Sequence, residues 1–120
     1  MIISKIDFQS NARKNKIAID DGMKKYSYYD LREYSTIISN FIIRKEYYNE
    51  SIGLFFNHSS DMIIAMISSI RSGNNYVPLD IEHPTKKLIS ILTNTNINCV
   101  LTNNSYEKKI KDIIKKIDWT

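Results

Sequence analysis

The spacing of apolar residues changes period along the chain, and each change predicts an element. Ile2, Ile3, Ile6 and Phe8 suit a short helix or a docking segment at the start. Residues 16–22, Lys-Ile-Ala-Ile-Asp-Asp-Gly, alternate as a strand does and run into Asp21-Gly22, a hairpin signal because glycine accepts the positive φ of a tight turn. The returning strand is predicted over residues 24–26. Ser27-Tyr28-Tyr29-Asp30 has the form of a capping box, the Ser27 hydroxyl accepting from the Asp30 amide while Asp30 reaches back. A helix starts there. Leu31, Tyr34, Ile38, Phe41 and Ile42 recur at helical spacing, which predicts one apolar stripe against a core and leaves Arg32, Glu33 and Asn40 in water.

From residue 52 the pattern alternates between short and long elements. Ile52-Gly53-Leu54-Phe55-Phe56 is apolar on both faces, as strands inside a parallel sheet are. Polar Asn57-His58-Ser59-Ser60 ends it. Residues 61–72 form a predicted helix that is apolar around most of its circumference, through Met62, Ile63, Ile64, Ala65, Met66, Ile67 and Ile70, and Gly73 supplies its stop. Such a helix needs cover on more than one side. Tyr76-Val77-Pro78-Leu79-Asp80 is extended. Pro84 suits the first turn of a helix whose Leu88, Ile91 and Leu92 share a face. Residues 98–102 make a third strand, and a last helix turns Ile110, Ile113, Ile114 and Ile117 inward, with Lys108, Lys109, Lys111, Lys115 and Lys116 mostly outward. Strand and helix in strict alternation predict an α/β fold: an N-terminal β-hairpin and helix, then a β-α-β-α-β-α unit with parallel strands and right-handed crossovers.

Composition narrows the function classes. Over 120 residues, 42% hydrophobic and 25% charged side chains describe one ordinary globular domain, not a disordered chain. The net charge of +4 is gathered mostly in residues 108–116, where no aromatic side chain interleaves with the lysines; that is a solvated helix face, not a nucleic-acid platform. Lone Cys99 can form no internal disulfide and reads as a small buried hydrophobe, consistent with a reducing, cytoplasmic setting. The first residues show no signal-peptide core, and no apolar run approaches the ~20 residues of a membrane span.

Candidate chemistry is sparse. The three glycines, Gly22, Gly53 and Gly73, stand too far apart to build a phosphate-cradling loop, so neither a P-loop nor a dinucleotide fingerprint is present. His58, His83 and Cys99 lie on separate segments without paired metal-ligand spacing. His58 with Ser59 and Ser60 sits between a strand and a helix, where amides can hold an anion, but a capping serine and a solvated histidine explain the same residues. Asp80 and Glu82 flank the next strand's end with no base or metal to pair with, which suits a turn.

Ile70-Arg71-Ser72-Gly73-Asn74-Asn75-Tyr76-Val77-Pro78-Leu79-Asp80, followed by His83-Pro84 and Leu88, closely resembles the second core motif of adenylation domains of nonribosomal peptide synthetases. The family's pattern there is Leu-Lys-Ala-Gly-x-Ala-Tyr-Val-Pro-Leu/Ile-Asp, and Ser72 and Asn75 stand in place of its alanines. Upstream, Tyr26-Ser27-Tyr28-Tyr29-Asp30-Leu31 looks like the first core motif, and the region near Lys14-Asn15-Lys16 lacks a proline common in the family. The resemblance covers nearly the whole chain. It implies that residues 1–120 are a partial adenylation (AMP-binding) domain, its N-terminal subdomain only, and an incomplete piece of the large N-terminal domain of adenylate-forming enzymes.

What the resemblance implies about activity is ATP- and magnesium-dependent joining of an amino acid to AMP and its passage to a carrier-protein thiol. The phosphate loop, the adenine-contacting segment, the ribose-binding aspartate and the catalytic lysine of that family have no counterpart in these residues, so no catalytic, cofactor-binding or metal-binding residue is carried over. Cofactors are expected for the complete domain, ATP and magnesium, and none for this piece. The expected partner is the remainder of an adenylation domain or a synthetase chain, with no nucleic acid and no membrane; self-association through exposed apolar surface is the further route. Three readings follow: a fragment of the enzyme, whether a truncated frame or half of a split domain; a non-catalytic interaction module; and a small binding protein holding an anion at the turn of residues 57–60.

Overall fold

A computed structural model describes residues 2–117, of which the Ile2 side chain is not part. In chain order the elements are α1 (Ile2–Ala12), β1 (Ile17–Asp20), β2 (Lys25–Ser27), α2 (Tyr28–Arg44), β3 (Ser51–Phe55), α3 (Ser60–Arg71), β4 (Asn75–Leu79), α4 (Thr85–Asn94), β5 (Cys99–Thr102) and α5 (Glu107–Lys115). The α/β alternation predicted from residue 52 is present throughout.

β1 and β2 pair antiparallel with an irregularity between Ile17 and Ile19. The turn is longer than the two residues expected of Asp21-Gly22. Asp21 N–H donates to the Lys24 carbonyl across 3.2 Å, and Gly22 takes φ 85°. The Asp21 carboxylate also accepts from the Met23 and Lys24 amides at 2.9 and 2.8 Å, which holds Lys24 in the turn and delays β2 to Lys25. The capping box at α2 forms as expected, with Asp30 N–H to Ser27 Oγ and Ser27 N–H to Asp30 Oδ2 both at 3.1 Å.

The second sheet is parallel, in the order β4-β3-β5. β3 is central and apolar on both faces because both are covered. Phe55 joins Leu79, Leu88, Leu92, Ile110 and Ile113 in a core under α4 and α5, while Ile52, Leu54 and Phe56 pack with Ala65 of α3. Gly53 lies on the α4/α5 face, where an added Cβ would stand 3.1–3.2 Å from Leu79, Ile97 and Val100. The far side of α3, through Ile64 and Ile67, packs on Ile6 of α1 and Leu31 of α2. The expectation that α3 is covered on more than one side is met. Pro84 is one position earlier than expected, at the N-cap of α4 and not inside its first turn, with ψ 151°.

The stripe predicted for α2 is partly displaced. The helix buries Leu31, Ser35, Ser39 and Ile42, whereas Tyr34 and Phe41 remain 47% and 55% exposed. Ser35 and Ser39 satisfy their hydroxyls on the carbonyls of Arg32 and Thr36, and Ser68 and Ser69 of α3 do the same on Ile64 and Ala65. Self-satisfied serines are small and cost no unpaired donor, so they occupy the helix contact and push the bulky residues outward.

The molecule is flat, 49 × 31 × 20 Å, with a radius of gyration of 15.1 Å. A compact domain of this length measures about 13.6 Å. The excess goes with apolar surface that no described residue covers.

Candidate functional site

Open parallel sheets bind ligands beyond the C-terminal ends of their strands, where helix N-termini present free amides. Here those ends are the β3–α3, β4–α4 and β5–α5 junctions. At the first, Ser59 occupies the N-cap of α3 but its side chain makes no cap bond; its hydroxyl donates to the Asn57 carbonyl instead. The cap comes from the hairpin. Asp21 Oδ2 accepts the Ser60 N–H at 2.8 Å and the Ser60 hydroxyl at 2.5 Å. These bonds, with the Lys24 and Met23 amides on Oδ1, hold the Asp21 carboxyl far below the usual carboxylate range. An internal anion therefore fills the position considered for an external one, and the anion-binding reading of residues 57–60 is overturned.

Beside it, the Lys24 ammonium lies 3.1 Å from Asp61 Oδ2, and the Tyr26 hydroxyl donates to Asp61 Oδ1 at 3.2 Å. Asp61 raises the Lys24 pKa, chiefly by hydrogen bonding; burial first, and Asp61 second, raise that of Tyr26. Exposed His58 lines the cleft of about 310 Å³ that these groups share with Asn103, Ser105 and Tyr106. Its one nearby cation is paired, so the cleft presents carboxylates.

The other two junctions differ, since no side chain among the described residues makes a cap bond at the N-terminus of α4 or α5. Asp80 Oδ1 accepts from the Glu82 amide at 2.9 Å, the turn role expected of it, and Asp80 Oδ2 stands 3.6 Å from His83 Nε2. At the third, Glu107 lies in the first turn of α5 and pairs with Lys111 at 2.7 Å. Acidic side chains, Asp21 and Asp61, Asp80 and Glu82, and Glu107, stand at the three strand ends in turn. No group of three or more His, Cys, Asp or Glu among the described residues is placed to hold a metal ion. The described residues offer no magnesium site of that kind, and no chemical step is derived through ATP.

The two motif segments are consumed by structure. Ser27 and Asp30 close the capping box. After α3, Gly73 takes φ 85° and Asn74 turns inward, its Oδ1 accepting from the Glu50 amide at 2.9 Å and its Nδ2 donating to the Tyr47 carbonyl at 3.1 Å. Asn74 thus staples the entry of β3 to the entry of β4. Arg71 forks onto Asp7 with bonds of 2.8 and 3.2 Å and donates through Nε to Ser35 Oγ at 3.2 Å, joining α1, α2 and α3. Sequence reasoning named Asp21 only as a hairpin residue and Asn74 only within a motif, and missed the bonds each makes to a distant element. Of the predicted lysine face, Lys109 is the exception, donating to the Ile81 carbonyl. Cys99 is half-buried and burial raises its thiol pKa, in keeping with a packing role.

The model of the family described as AMP-binding enzyme matches residues 6–118. The chain belongs to the AMP-binding enzyme family. Tyrocidine synthase 1 of Brevibacillus parabrevis is 27% identical over 106 residues, covering 88% of this chain and 10% of the relative. Gramicidin S synthase 1 of Brevibacillus brevis is 26% identical over 112 residues, covering 92% of this chain and 10% of the relative. Among solved structures, VinN superposes with a TM-score of 0.86 at 17% identity, covering 99% of this chain and 31% of VinN. The AMP-binding match and the synthetase relatives accord with the resemblance of these residues to an N-terminal part of an adenylation domain of the nonribosomal peptide synthetase type. The chain spans a tenth of the two synthetases named, and no helix among the described residues is long and apolar enough to cross a membrane.

Proposed function

We propose that these residues are the structural first portion of a domain that activates an amino acid with ATP and magnesium, in the cytoplasm, for peptide assembly on a synthetase. They supply framework and no catalytic group. One observation carries this reading: the α3 N-terminus, beyond the end of the central strand β3, is filled by the Asp21 carboxylate. The remainder of the adenylation domain then brings the phosphate-binding, amino-acid-selecting and catalytic groups, and the two are partners in one fold.

The test is amino-acid-dependent exchange of pyrophosphate into ATP. The 120-residue chain alone is expected to give none, and exchange is expected when it is combined with the remainder of the domain. Exchange by the chain alone overturns the proposal. A second reading, a non-catalytic module that docks on a synthetase, is favoured by the uncovered apolar surface beside Tyr34 and Phe41. It expects a stable complex in which exchange never appears.

A further inference from the structure

We draw no further inference here: the strongest candidate, the cleft of about 390 Å³ beyond the ends of β3 and β4 that His58 and His83 line with Asp80 and Glu82, belongs to the strand-end site already described, where no group of three or more such side chains among the described residues is placed to hold a metal ion.

Discussion

The Asp21 carboxylate closes the N-terminus of α3 from a hairpin turn 39 residues upstream, accepting both the amide and the hydroxyl of Ser60. A helix N-cap is usually a local affair, supplied by the residue just before the helix. Here Ser59 holds that place without capping, and the distant carboxylate ties the hairpin to the parallel sheet unit.

Asp21→Ala should therefore do two things at once. It uncaps α3 and frees the hairpin, so the thermal midpoint falls, and exchange at the amides of residues 60–62 rises together with exchange in β1 and β2. Asp21→Asn keeps a weaker acceptor and lands between the two. Exchange that rises in only one of the two regions is incompatible with the bridge.

Acid should destabilise the fold through the same contact. Asp21 and Asp7 are both held below 3.8 in the folded chain, Asp21 by its bonds from Ser60 and Asp7 first by its hydrogen bond from Arg71. The unfolded chain thus binds more protons in acid, so stability is full above the ordinary carboxylate range and declines as pH falls, between about pH 5 and pH 2 in accessible conditions. Melting curves along this limb should show the decline, and Asp21→Asn should flatten it. An unchanged slope in that variant removes Asp21 as a cause.

Arg71 is 15% exposed at its side chain and Asp7 35%, with α2 linked through Ser35. Arg71→Ala should cost about 1–2 kcal/mol, less than a fully buried charged pair because water reaches Asp7. Arg71→Lys retains the charge and loses the fork, so it should recover only part of the loss. Urea denaturation of the two variants and of Asp7→Ala in a double-mutant cycle measures the coupling; a coupling of zero discards the link.

Gly53 and Gly73 should fail for different reasons. Gly53→Ala puts a methyl 3.1–3.2 Å from three packed side chains and should cost about 1–3 kcal/mol by overpacking. At Gly73 the added Cβ would meet the Tyr48 ring at 2.7 Å, but Tyr48 is 75% exposed and can swing away. What remains there is the φ of 85°, a left-handed strain of about 1–2 kcal/mol. Reducing Tyr48 to Ala should leave the Gly73→Ala penalty nearly unchanged, and relief of that penalty would locate the cost in the ring.

Much of this was legible in the chain itself. Periodicity placed the strands and helices from residue 17 onward within a residue or two, since each element's face is set by which of its own residues must leave water, but it left the opening stretch between a short helix and a docking segment where α1 runs to Ala12. The capping box was readable because both partners lie within four residues. The two motif segments pointed to an adenylation-domain piece, and the family match bears that out. Less legible was which residues of α2 go inside. Sequence hydrophobicity ranks Tyr34 and Phe41 above Ser35 and Ser39, but helix contact favours small side chains that satisfy their own hydroxyls.

By itself, then, the sequence determined the order of elements and the parallel α/β class, because each depends on residue type and near-neighbour spacing. Only the tertiary structure decided that Asp21 fills the N-terminus of α3 and that Asn74 and Arg71 staple distant elements. Those contacts join residues tens of positions apart, and pairwise geometry at that range exists only after the helices have packed on the sheet.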